Sequence, residues 1–206
     1  YCESLSRFVT SSGGDSISFQ NHPYSRTNAY WIAITGEGTP LRIPDLSASP
    51  SETLPARTSF REILHFERDN QLEYPESGIE WYWDKVTGTT SKYFSFSAPG
   101  SVPGDSVAVR AAFLNPPFSR GDTYMTLLDQ SLEMYVNDAG PFTAFFPYIQ
   151  RGFTEMRFTG SFSEKNDLFK IRRTAGQADE FILLDWFEIE YERRLEFTDR
   201  ILEYFV

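Results

Sequence analysis

Apolar and polar residues alternate with a period of two along most of the chain, and turn-forming residues separate the runs. Ser16 to Phe19 places Ile17 and Phe19 on one face, and Ala29 to Thr35 is an aromatic and β-branched run. Lys92 to Ser97 sets Tyr93 and Ser95 against Phe94 and Phe96. Ser106 to Leu114 puts Val107, Val109, Ala111 and Phe113 on one side. Leu132, Met134 and Val136 alternate with Glu133 and Tyr135 until Asn137-Asp138-Ala139-Gly140 turns the chain. Phe153 to Thr159, Leu168 to Arg172 and Phe181 to Tyr191 read as further strands. In the last, simple alternation puts Phe181, Leu183, Phe187, Ile189 and Tyr191 on one face, with Ile182, Leu184, Trp186, Glu188 and Glu190 opposite.

Helical signals are sparse. Ser59-Phe60-Arg61-Glu62 fits a capping box ahead of Ile63 and Leu64, so residues 59–66 read either as a short helix or as a strand running into His65-Phe66-Glu67. The pattern predicts an all-β fold, an antiparallel β-sandwich of jelly-roll type. Pro40 to Pro55 is rich in Pro and Ser and reads as a linker or a long loop. The expected division is a small N-terminal β segment with its connection over 1–55, then the sandwich over 56–206.

Composition narrows the functional classes. The chain has 206 residues, 40% hydrophobic, with 19 Phe, 11 Tyr and 4 Trp, which excludes a disordered acidic tail. A net charge of −10 argues against a nucleic-acid binder or docking to an anionic membrane, both of which need clustered Lys and Arg. No apolar run approaches the roughly 20 residues that span a bilayer. A soluble product is expected. The chain starts with Tyr and shows no leader, so it reads as a processed or excised segment. Cys2 is the single cysteine, which leaves no intrachain disulfide and no thiolate metal cluster.

Catalytic constellations are scarce. His22 and His65 are the two histidines, and alternation sends His65 and Glu67 to the same face, as a structural pair. No nucleophile elbow and no zinc or EF-hand spacing accompanies them. Glu67, Asp69, Glu73, Glu76, Glu80 and Asp84 crowd one stretch. Oxygen ligands on sandwich loops suit Ca²⁺, but a solvated acidic loop face is the favoured reading, and no cofactor is predicted. Glu80-Trp81-Tyr82-Trp83-Asp84 is the candidate binding run. Exposed, Trp81, Tyr82 and Trp83 stack on sugar rings beside Glu80; buried, they are core at the start of a strand. Acidity along Asp185 to Glu196 suggests a second contact face.

Four motifs follow one another: Ala29-Tyr30-Trp31-Ile32, His65-Phe66-Glu67-Arg68-Asp69, Ser77-Gly78-Ile79-Glu80-Trp81-Tyr82, and Leu184-Asp185-Trp186-Phe187-Glu188-Ile189-Glu190-Tyr191-Glu192-Arg193. This succession resembles the region upstream of the catalytic domain in gingipain-type cysteine peptidases. Within them it is most similar to the sortase-like peptidase of the Bacteroidetes type IX secretion system. Ile79 and Asp84 depart from that pattern. The resemblance implies a non-catalytic β-sandwich accessory domain, with the peptidase domain and its Cys and His downstream of Val206. Neither Cys2 nor His65 matches a catalytic motif. It also implies an exported protein of the periplasm or outer-membrane surface, partnered by the downstream domain and by a secreted client or a surface glycan. The alternative is a carbohydrate-binding module using Glu80, Trp81, Tyr82 and Trp83.

Overall fold

The computed structural model describes residues 7–10, 17–20, 57–70, 81–116, 118–119, 125–126, 129–147, 150–163, 165–174 and 180–196. Strands and no helices occur among them: β1 (Arg7–Thr10), β2 (Ile17–Gln20), β3 (Ser59–Glu67), β4 (Asp84–Thr87), β5 (Lys92–Phe96), β6 (Asp105–Asn115) and β7 (Phe118–Ser119). They continue with β8 (Met125–Thr126), β9 (Gln130–Val136), β10 (Ala139–Phe146), β11 (Gln150–Gly160), β12 (Asp167–Arg173) and β13 (Phe181–Arg194). The fold is all-β.

Backbone packing divides the chain into two compact units, Tyr1–Ala56 and Arg57–Val206. In the first, β1 and β2 pair antiparallel, with Arg7 opposite Gln20 and Thr10 opposite Ile17. The run Ala29 to Thr35 and the stretch Pro40 to Pro55 lie outside the described residues.

Besides the short antiparallel pair β7-β8, the second unit carries two large antiparallel sheets. One has the order β10-β9-β12-β5; the other runs β11-β6-β13-β3, with β4 also pairing to β13. Their facing sides make the core. Val107, Val109, Ala111 and Phe113 of β6 meet Leu132, Met134 and Val136 of β9, with Phe169 and Ile171 of β12. Phe187 is fully buried and is ringed by Phe66 and Phe169 (centroids 4.8 Å away in each case), Trp83 (5.4 Å), Phe94 (5.9 Å) and Phe96 (6.3 Å). Aromatics from both sheets therefore converge on one ring.

Residues 59–66 are strand, because the two residues of the apparent capping box bond elsewhere. Ser59 Oγ donates to Glu192 at 2.5 Å, and Glu62 accepts from Arg193 at 2.9 Å, both across to β13. Cross-strand partners replace the local cap.

The face assignment of β13 also changes. Its register with β6 pairs Leu184 with Phe113 but Phe187 with Ala111, so one extra residue bulges out around Asp185 and Trp186. The bulge inverts the alternation before it. Ile182 and Leu184 join Phe187, Ile189 and Tyr191 in the core, leaving Phe181 and Leu183 on the opposite side from where strict alternation puts them.

The acidic run of this strand is used internally. Glu188 is buried against His65 and Arg110, Glu190 pairs with Arg61 and Arg110, and Glu196 pairs with Arg194. These three carboxylates are each paired with cationic neighbours.

At the far end of the sandwich, the turn after β9 places Asn137 at φ 51°, a left-handed conformation that Asn tolerates. Its side chain donates to Asp167 Oδ1 at 2.9 Å and accepts from the Leu168 amide at 2.9 Å, tying the turn to β12.

Candidate binding groove

The break between β3 and β4 creates a site. Both strands lie along the same edge of β13, with Glu67 opposite Trp186 and Asp84 opposite Leu184, so Asp185 falls between them. The bulge in β13 coincides with this change of partner. Beyond β3 the chain is tied back by the Asn70 amide, which donates to Tyr82 O at 3.3 Å, and the Trp83 amide donates to Leu184 O at 2.8 Å. A cavity of about 540 Å³ opens here, between this broken sheet edge and the edge strand β5 of the other sheet. Glu67, Arg68 and Asn70 line it from the end of β3, Trp83 and Asp84 from the start of β4, and Tyr93 from β5.

Asp84, Arg68 and Glu67 are each held by a neighbour. Asp84 accepts from Lys92 Nζ at 3.0 and 3.2 Å and from the Lys85 amide at 2.7 Å. The Arg68 guanidinium lies over the Trp83 ring, 5.6 Å from its centroid. Trp83 is in turn stacked on Phe187, with planes 10° apart, and meets Phe94 edge-on at 4.9 Å. Glu67 takes part in a pair with His65 Nε2 at 3.2 Å, while His65 Nδ1 faces Glu188 at 3.0 Å. Burial alone would lower the His65 pKa, but hydrogen bonds to Glu188 and Glu67, with their charges, raise it above its ordinary 6.5.

The candidate binding run is split by the fold. Trp81 is 40% exposed, Tyr82 is 1% exposed, and Trp83 is a half-buried wall of the groove. The three rings form no single open platform, because period-two alternation turns Tyr82 inward. Glu80 lies outside the described residues, as do Cys2, His22, Glu73 and Glu76. Among the described residues no group of three or more His, Cys, Asp or Glu could hold a metal ion. No described helix is long and apolar enough to cross a membrane.

Arg68, Asn70 and Tyr93 are groove residues that sequence reasoning did not single out. For Tyr93 a signal existed: a large aromatic on the polar face of an alternating strand, 59% exposed in the structure. For Arg68 and Asn70 there was none beyond their place next to His65-Phe66-Glu67. The groove offers an aromatic ring, fixed donors and fixed carboxylate acceptors. That is the equipment of a binding site. Both nitrogens of His65 are engaged by carboxylates, which suits a structural pair rather than a general base.

No family model matches the chain, and no curated protein matches it. Solved structures do. Dimeric latent PorU from Porphyromonas gingivalis superposes with a TM-score of 0.63 at 12% identity, over 93% of this chain and 18% of that one. This chain therefore shares the fold of a part of PorU and spans a small share of its length. The CBM36-1 domain of a multidomain xylanase from the hindgut metagenome of Trinervitermes trinervoides aligns over 63% of this chain and 96% of its own, at 9% identity and TM-score 0.40. A family 35 carbohydrate-binding module from Clostridium thermocellum aligns over 63% of this chain and 90% of its own, at 15% identity and TM-score 0.37. Those two superpositions are too loose to bear on function.

Proposed function

We propose that this chain is a non-catalytic accessory domain of an exported, gingipain-like cysteine peptidase that works in type IX protein secretion or surface processing. The observation that carries the reading is the fold shared with latent PorU over 93% of the chain. The order of motifs supports it independently, since His65-Phe66-Glu67 lies on β3 and Leu184 to Arg193 on β13, the two strands that pair with each other. The domain's work is then to hold the peptidase domain and to present a secreted client to it, on the periplasmic side or at the outer-membrane surface. The division at residue 56 fits a small N-terminal unit followed by the sandwich.

Reading the coding sequence beyond Val206 tests this directly. A Cys/His peptidase domain is expected there; a different domain, or a stop codon, would sink the proposal. Where the peptidase domain is present, the parent expressed in two pieces should reassemble, with residues 1–206 retaining the peptidase domain on a column.

A further inference from the structure

We infer that the groove between the end of β3, the start of β4 and β5 binds a short, uncharged saccharide, with Tyr93 as the stacking ring and Arg68, Asn70 and Asp84 as its hydrogen-bonding groups. Tyr93 is 59% exposed on a strand whose alternate residues, Phe94 and Phe96, are anchored in the core. An aromatic plane left open on an anchored strand suits the C–H face of a sugar ring.

Two of the polar groups, Arg68 and Asp84, are held in advance. Arg68 is restrained over Trp83, yet its guanidinium retains several N–H donors. Asp84 is oriented by Lys92 and the Lys85 amide, which together occupy Oδ1, and Oδ2 has a further lone pair to offer. Sugar hydroxyls both donate and accept, so they can use both kinds of group together.

Charge selects the class of saccharide. Among the described residues, both signs of charge meet at the groove: Glu67 and Asp84 line it with Arg68 and His65, and Lys92 pairs with Asp84 beside it. A phosphate, sulfate or uronate would be brought against two carboxylates, and a cation against a guanidinium and an ammonium. A volume of about 540 Å³ lies within the ~300–1,000 Å³ of small-molecule sites.

This site does not depend on the accessory-domain reading, and its failure would leave the peptidase test above untouched. The 206-residue chain is titrated by calorimetry with neutral gluco-, xylo- and manno-oligosaccharides and, in parallel, with oligouronates. Saturable binding to a neutral oligosaccharide is expected. It should weaken about tenfold or more in Tyr93→Ala and in Arg68→Gln. Phe145→Ala should bind as before, since that residue is 61% exposed on β10, outside the groove. In the unmodified protein, ligand-induced amide shifts should centre on residues 67–70 and 92–95. Binding to none of the neutral sugars, a preference for oligouronates, undiminished binding in both groove variants, or shifts centred elsewhere would each overturn the proposal.

Discussion

Glu188 Oε1 lies 3.0 Å from His65 Nδ1, deep on the face of the sheet that points away from the core. The other ring nitrogen faces Glu67, the Trp186 ring lies 5.6 Å away, and Arg110 approaches Glu188 from β6 at 3.2 Å. Only the imidazolium can donate to both carboxylates at once. Its pKa is raised in the folded state, so the protonated ring contributes stability that is fully present below the unfolded value and is lost as pH rises through the folded one. The melting temperature of the natural protein, relative to His65→Gln, should therefore fall as the pH is raised upward from 6.5. A difference that stays flat, or grows, over that rise would contradict this account.

Glu188 itself is the centre of the charged row. It is 2% exposed, with His65 on one side and Arg110 on the other. Glu188→Ala takes the shared carboxylate from His65 and Arg110 at a desolvated position and leaves Glu67 and Glu190 as their remaining partners. The expected loss is about 3–5 kcal/mol, read from urea unfolding. A loss well under about 1 kcal/mol would mean that water replaces the carboxylate without penalty.

Phe187 joins the sheets through five aromatic neighbours, Trp83 among them. Phe187→Ala should cost about 3–5 kcal/mol, because the rings around it cannot all collapse into the space. The groove should suffer with it, since Trp83 loses the ring that backs it. A variant that unfolds at the same denaturant concentration as the natural protein would refute the hub role.

Gly140 and Gly104 offer a paired test of backbone demands. A Cβ on Gly140, at φ +129°, would stand 2.8 Å from Met134 O and 2.9 Å from Tyr135 Cδ1. At Gly104, φ is +80° and nothing lies within 4 Å of that Cβ. Gly104→Ala should cost about 1–2 kcal/mol through conformation alone. Gly140→Ala adds overlap with backbone and should cost about 3 kcal/mol or more. Equal losses in thermal melts would show that the hairpin adjusts.

Some of the molecule can be read from the chain because the information is local. Val107, Val109, Ala111 and Phe113 alternate without interruption, and so do Leu132, Met134 and Val136. Each strand forms where its pattern lies, and its apolar face is the core face. The same reasoning pairs His65 with Glu67, two residues apart on one side of a strand. β10 was harder to read: Gly140 and Pro141 stand at its start, and it takes one partner strand, β9.

What the sequence by itself determined is an all-β chain, the position of its main strands and the alternation that buries Phe94, Phe96, Phe113 and Phe169. Only the tertiary structure decided three further matters. It made 59–67 a strand, because Ser59 and Glu62 found partners on β13 more than a hundred residues away. It inverted the first half of β13, because a bulge is a property of register between two strands and leaves no mark on either alone. And it assembled the groove, bringing Arg68, Asp84 and Tyr93 together from three separate strand ends and edges. Period-two alternation reports which way a side chain points. Which other strand it points toward is settled by pairing and packing across the whole sandwich.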